Sequence, residues 1–256
     1  TGSWGYAAMG MFRNYQDIDE YFDRYNITNY MGMTKDNVRP GMLIYKDVRS
    51  QQKPDGTYDG PDGIVDEYDL VQISHRSNPY GITLNLKAEY KGVSLGTQIS
   101  GNWGGYDFVP RYARSISSLT SSASGANVMQ YVNLPSFWAN NMYIYEDIED
   151  ANGNIIVEEN RDAKYPNLQY GINSQQSTFW KVSGTRVTLR NFTLAYAIPK
   201  NIIQKLGVES FRINVTGQNL LSLYNPYPDN FIDPMAGSYG NYPNLRTITA
   251  GVNISF

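Results

Sequence analysis

The residues best suited to chemistry in this chain are a run of acids around a glycine, Asp62-Gly63-Ile64-Val65-Asp66-Glu67-Tyr68-Asp69. Carboxylates recur at alternate turns, the glycine permits a sharp bend, and an acid closes the run. The run resembles the second half of a calcium loop, where Asp side chains and a backbone carbonyl offer oxygens at about 2.3–2.6 Å. Asp62, Asp66 and Asp69 are the candidate side-chain ligands and Ile64 the candidate carbonyl, for a structural calcium; no other cofactor is required. The first half of the pattern is displaced. Tyr58 and Gly60 stand where the first two ligands belong, so residues 49–61 read as an insertion, with Asp47 or Asp59 as substitutes. A solvated turn accounts for the same Asp- and Gly-rich composition, and both readings stand at this stage.

Other chemistry is sparse. His75 is the sole histidine and there is no cysteine, which removes thiolate nucleophiles, disulfides and His-rich metal sites. No Gly-rich phosphate loop, His-Glu-x-x-His pair or serine nucleophile elbow occurs. Glu146 and Asp147 could pass for a glycosidase pair, but in an acidic loop they read more simply as solvated. A net charge of −3 and a pI near 5.2 argue against a nucleic-acid surface. The expected protein is not an enzyme.

The elements that must hold these residues are strands. Tyr80, Ile82, Leu84, Leu86, Ala88 and Tyr90 fall on one face of a period-2 run, against Gly81, Thr83, Asn85, Lys87 and Glu89. After Lys91-Gly92 a second run places Val93, Leu95, Thr97, Ile99, Gly101 and Trp103 together, so the two form a tight hairpin. Alternation resumes at Arg186, slips phase near Arg190-Asn191 as a β-bulge would make it, and continues through Phe192, Leu194, Tyr196 and Ile198. Pro199 to Gly207 is a compact connection with room for one helical turn. Phe211, Ile213 and Val215 lead a further strand, a loop covers Leu221 to Arg246, and Ile248, Ala250, Val252, Ile254 and Phe256 close the chain. Upstream, Ile18, Tyr21, Phe22 and Tyr25 predict a short amphipathic helix over 16–25, and Met42 to Val48 a short strand. Residues 105–182 hold Ser-rich and acidic stretches without a comparable strand pair.

Three features make this alternation that of a membrane wall rather than a half-buried soluble sheet. The apolar faces at 80–90, 211–218 and 247–256 carry no charge, while Lys87, Glu89 and Arg212 sit opposite; a charge facing lipid costs roughly 2–4 kcal/mol at the midplane. Tyr80 and Tyr90 bracket one apolar face as girdle aromatics do. Short and long connections alternate so that every short one falls on the side of Phe256, the periplasmic-turn, external-loop rule of outer-membrane barrels. Mean hydropathy is −0.47 without a long apolar run, which excludes a membrane helix but not a β-barrel. Five or six strands do not close a barrel, whose minimum is about eight, so the chain is expected to be part of a longer polypeptide. Thr1-Gly2-Ser3-Trp4 open without a basic region and apolar stretch, so these residues are not expected to be a signal peptide.

The run Gly184-Thr185-Arg186-Val187-Thr188-Leu189-Arg190-Asn191-Phe192-Thr193-Leu194-Ala195-Tyr196-Ala197-Ile198-Pro199 resembles the late-barrel signature of the SusC/RagA group of TonB-dependent outer-membrane transporters of Bacteroidetes. Phe211-Arg212-Ile213-Asn214-Val215-Thr216-Gly217-Gln218-Asn219-Leu220 and the Tyr242-Pro243…Arg246-Thr247 ending are similar too, as are Arg39-Pro40-Gly41…Tyr45-Lys46-Asp47-Val48 and Tyr90-Lys91-Gly92. The resemblance spans nearly the whole chain and is weakest over 105–165. It implies an all-β fold, the C-terminal wall of an antiparallel transmembrane barrel of about 22 strands, with long extracellular loops and a short helix near the start. It divides residues 1–256 into an external region (1–79), a hairpin (80–104), a long external loop (105–183) and the last three strands (184–256). It implies import of glycans or oligopeptides with a SusD-like lipoprotein lid, energy from the TonB complex through a plug outside this chain, and outer-membrane lipids around the wall. Phe256 would be the terminal aromatic recognised during barrel assembly. Trp138, Trp180, Tyr224 and Tyr227 are loop aromatics able to stack on sugar rings or meet the lid.

Two other readings compete. A secreted carbohydrate-binding β-sandwich would use the same aromatics on an exposed face, and a calcium-dependent hydrolase would lose activity with Asp62 or Asp66.

Overall fold

A computed structural model describes residues 2–75, 79–114, 136–234 and 244–256. The Ser-rich stretch from Ser115 to Ser124 and the Tyr242-Pro243 pair lie outside the described residues. In chain order the elements begin with β1 (Ser3–Gly5), β2 (Ala8–Met11), α1 (Tyr15–Tyr25), β3 (Asn29–Tyr30), β4 (Leu43–Tyr45), β5 (Ile64–Val65) and β6 (Val71–Ser74). Then come β7 (Tyr80–Tyr90), β8 (Val93–Trp103), β9 (Tyr106–Phe108), α2 (Ser136–Asn141), β10 (Ile148–Glu149), β11 (Ile155–Val157) and β12 (Lys181–Ser183). The remainder is β13 (Arg186–Ala197), α3 (Lys200–Ile203), β14 (Ser210–Tyr224) and β15 (Thr247–Ser255). Strands dominate, and among the described residues no helix is long and apolar enough to cross a membrane, which says nothing about crossing by strands.

The chain forms two compact units. One gathers the described residues of Thr1–Arg76 and Phe108–Lys181, the other those of Ser77–Asp107 and Val182–Phe256.

The second unit is one antiparallel sheet of five strands in the order β15-β14-β13-β8-β7. β7 and β8 pair without a register shift, from Tyr80 opposite Trp103 to Tyr90 opposite Val93. Their two turn residues, Lys91 and Gly92, both have positive φ, the geometry a two-residue hairpin needs to follow strand twist. The bulge expected near Arg190 is present. Arg190 is the extra residue between Leu189, opposite Ile99, and Asn191, opposite Gln98. Against β14 the same slip leaves Asn219 and Leu220 facing Arg190, with Asn219 in the left-handed region at φ 53°.

The bulge has a packing consequence. A period-2 strand that gains one residue changes face, so Val187 and Leu189 join Phe192, Leu194 and Tyr196 on a single apolar side. One strand differs from expectation. β14 runs on through Leu221 to Tyr224, which the sequence assigned to a loop, because Leu221 still finds Leu189 and Ser222 still finds Thr188 as partners.

The sheet's apolar face is open. Ile82, Leu86, Ile248 and Val252 are 58%, 49%, 73% and 56% exposed. Among the described residues every other sheet has only two strands, so no second large sheet of the kind a sandwich stacks is formed. The opposite face is hydrogen-bonded sideways: Asn191 donates to Gln98 at 3.1 Å, Gln98 to Asn85 at 3.0 Å and Arg212 to Ser94 at 2.7 Å.

The first unit has a core without periodic pattern. Helix α1 is N-capped by Asn14, whose side chain accepts from the Asp17 N–H, and ends at Asn26 in the left-handed region. It buries Ile18, Tyr21 and Phe22 against Phe12, Tyr30 and Tyr45, with ring centroids of Phe12–Tyr21 and Tyr21–Tyr30 at 5.4 and 5.8 Å. The tyrosine hydroxyls are satisfied by backbone: Tyr21 donates to the Tyr45 carbonyl at 2.6 Å and Tyr30 to that of Leu43. Asn173, wholly buried, accepts from Leu43 N–H and donates to the carbonyls of Gly41 and Asn167. One side chain thereby joins the segment at Gly41–Leu43 to the distant one at 167–173.

Candidate functional site

The acidic loop is built on the first unit. β5 lies parallel to β3, Ile64 opposite Asn29 and Val65 opposite Tyr30, and a turn of 3-10 helix follows over Glu67–Asp69. Gly63 makes the bend at φ +82°. A Cβ there would lie 2.5 Å from the Asn26 carbonyl oxygen, so a glycine is required both for conformation and for space.

Each candidate ligand has a definite role. The Asp62 Oδ1 accepts from the Ile64 N–H at 3.0 Å. Asp66 caps the following turn: its Oδ1 accepts from Tyr68 N–H at 2.8 Å while its own N–H donates to Asp69 Oδ2 at 2.9 Å, a reciprocal capping box. Asp69 is wholly buried, and its Oδ1 also accepts from the Val48 and Arg49 N–H groups at 2.6 and 3.1 Å. The Arg49 guanidinium beside it donates to the carbonyls of Tyr68 and Leu70. Asp69 therefore ties the two ends of the insertion together. Among the described residues no three His, Cys, Asp or Glu side chains are gathered around one point, as these side chains stand.

Of the two acids weighed as substitutes for the displaced first half of the pattern, Asp47 is the one the fold brings to the bend. The Gly63 N–H donates to Asp47 Oδ2 at 2.7 Å, whereas Asp59 is engaged by Lys53 at 2.7 Å. Asp47 is 6% exposed and its Oδ1 has no hydrogen-bond partner. Burial pushes the Asp47 carboxyl above the ordinary range; the Gly63 and Asp62 N–H groups oppose this, while the charges of Asp69 and Asp62 reinforce it. Burial likewise raises Asp66, against the Tyr68 N–H, with Glu67, Asp69 and Asp62 adding to it.

The remaining candidates sort differently. His75 is exposed, and Glu146 and Asp147 lie at the surface, with Asp147 accepting the Glu159 N–H at 2.6 Å. Phe256 is 88% exposed and directly follows Ser255, the last residue of β15. Of the four loop aromatics able to meet a ligand, Trp138, Trp180 and Tyr227 are buried. Trp138 and Trp180 are 0% and 1% exposed, crossing at 6.0 Å, with their indole N–H groups on the carbonyls of Ala113 and Asn173. They are core because their large apolar rings outweigh the polar composition of the segment around them. Tyr227 is also buried, its hydroxyl on Asp107 Oδ2 at 2.9 Å, while Tyr224 is 47% exposed on β14. A cleft of about 340 Å³ in the first unit is lined by Tyr15, Tyr145, Tyr170, Arg39 and Glu146, residues that no local motif marks.

No family model matches the chain. Part of it is similar to TonB-dependent receptor P3 of Formosa agariphila, 35% identical over 88 residues, covering 28% of this chain and 8% of that protein. Part is similar to TonB-dependent receptor P26 of the same organism, 37% identical over 84 residues, with the same shares. The matched stretch thus spans less than a tenth of the length of these curated relatives. Similarity to TonB-dependent receptors is what the comparison establishes.

Proposed function

We propose that this chain is the late wall and external region of an outer-membrane, TonB-dependent importer of the SusC/RagA type, a transporter rather than an enzyme. The observation that carries the reading is the five-stranded sheet whose apolar side chains project outward from every strand while polar side chains bond across the other face. Water penalises such an apolar face; lipid rewards it. Similarity to two TonB-dependent receptors supports the same reading.

On this reading β7 to β15 belong to a larger closed barrel, since open strand edges in lipid leave backbone groups unpaired. The short connections at Lys91-Gly92 and at α3 face the periplasm. On the extracellular side a SusD-like lipoprotein closes over glycan or oligopeptide substrate. Energy comes from the TonB complex through a plug borne elsewhere in the full protein. Phe256 is the aromatic read by the assembly machinery.

The test is to extract the full protein from outer membranes in detergent and identify by mass spectrometry what co-purifies. The expected result is a surface lipoprotein with a bound oligosaccharide or peptide. Recovery in the aqueous fraction as a monomer without detergent would contradict the reading and return the carbohydrate-binding sandwich.

A further inference from the structure

The Asp47 Oδ1 is an anomaly that the acidic loop does not resolve by itself. Buried polar atoms are ordinarily hydrogen-bonded, and an ionised oxygen without a partner is costly. Asp47 is 6% exposed with Oδ1 unpartnered, although Oδ2 is fixed by the Gly63 N–H. The nearby cations are used elsewhere: Arg49 on two backbone carbonyls and Lys53 on Asp59.

The register around this oxygen is that of a calcium loop. Such a loop takes side-chain ligands at positions 1, 3, 5, 9 and 12, with glycine at 6 and a backbone carbonyl at 7. Setting Gly63 at 6 places Asp62 at 5, Ile64 at 7, Asp66 at 9 and Asp69 at 12. Position 1 is empty in sequence because residues are inserted, but the fold brings Asp47 to the bend and bonds it to Gly63.

We propose that Asp47 Oδ1, the carboxylates of Asp62 and Asp66 and the Ile64 carbonyl bind one calcium ion, water completing the sphere. Asp69 is a positioning residue, since both of its oxygens already hold backbone N–H groups. Binding requires Asp62 and Asp66 to turn inward. Asp62 is exposed and makes a single hydrogen bond, and Asp66 is half-buried with Oδ2 free of any bond to the loop's N–H groups. Calcium suits the site better than magnesium, which demands near-ideal octahedral geometry at about 2.0–2.1 Å. The inference holds for any function of the chain and does not rest on the transporter reading.

The test is isothermal titration of EDTA-stripped full-length protein with calcium chloride, comparing wild type with Asp47→Asn and Asp62→Asn. Each substitution is expected to weaken one calcium event by roughly 10–100-fold, with magnesium binding more weakly in wild type. Because Asp62 is exposed, its variant decides the matter even if Asp47→Asn fails to fold. No calcium binding by wild type, or unchanged binding by Asp62→Asn, would overturn the proposal.

Discussion

The Gly63 N–H donates to Asp47 Oδ2 at 2.7 Å across sixteen positions of sequence. With the bonds from the Val48 and Arg49 N–H groups to Asp69, it closes the insertion at its base and makes two separated acidic segments into one loop. Gly63→Ala should therefore do more than remove a flexible residue. Its Cβ would meet the Asn26 carbonyl oxygen at 2.5 Å with φ at +82°, so a loss of about 1–3 kcal/mol is expected. Scanning calorimetry of the variant against Gly60→Ala, where an added Cβ meets nothing within 4 Å, is the comparison. Equal melting of the two would show that the bend carries no strain.

The two faces of the five-stranded sheet should respond oppositely to charge. Leu86→Arg places a cation on the apolar face and is expected to cost roughly 2–4 kcal/mol of stability in a bilayer. Thr193→Lys lies on the opposite face, where Thr193 meets Thr216 across the strands at 3.3 Å, and should be tolerated. Urea unfolding of the protein refolded into lipid vesicles reads both. A larger penalty at Thr193 would reverse the assignment of faces.

Arg190 matters as a residue count rather than as a side chain. Replacing it with alanine should change stability by no more than about 0.5–1 kcal/mol. Deleting it should turn Val187 and Leu189 onto the polar face and prevent assembly, because a one-residue slip flips every side chain beyond it. Heat-modifiable electrophoretic migration distinguishes folded from unassembled protein. Normal migration of the deletion would mean that the slip at Leu189–Asn191 is dispensable.

Tyr227 supplies a test of pH. Burial, then the charge of Asp107 and the hydrogen bond to it, push its hydroxyl up to about 12. The folded state thus holds this proton more tightly than the unfolded chain, where tyrosine titrates near 10. By linkage its contribution is fully present below pH of about 10 and is lost as pH rises toward 12. Tyr227→Phe should be less stable at pH 8 by about 1 kcal/mol, the worth of one hydrogen bond, with the difference shrinking as alkali is added. Alkaline unfolding monitored by tyrosine absorbance checks this, and a constant difference across that range would contradict it.

How much of this was legible in the sequence depends on the range over which each feature is specified. The wall is written locally. Alternation marked the limits of β7 and β8 and the slip at Arg190, because each side chain's face follows from parity alone. The end of β14 was hidden, since Leu221 to Tyr224 acquire their strand only by pairing with Val187 to Leu189. The first unit was largely illegible for the same reason carried further. Asn173 earns its place through partners at 41, 43 and 167, and Trp138 and Trp180 find each other across long separations. Neither has a periodic signature. The acidic loop lies between these cases: Asp62 to Asp69 showed its spacing, while the insertion concealed which of Asp47 and Asp59 joins it.

The claim on which the rest depends is that the apolar face of this sheet meets lipid. The chain contains no cysteine, so single cysteines can be placed in turn at positions 81 to 89 of the full protein and spin-labelled in bilayers. Collision with oxygen and with a water-soluble nickel chelate then reports which side chains lie in hydrocarbon. The expected result is a period-2 profile, with oxygen contact highest at 82, 84, 86 and 88 and nickel contact highest at the residues between them. A flat profile, or nickel contact strongest at the even positions, would contradict a membrane wall.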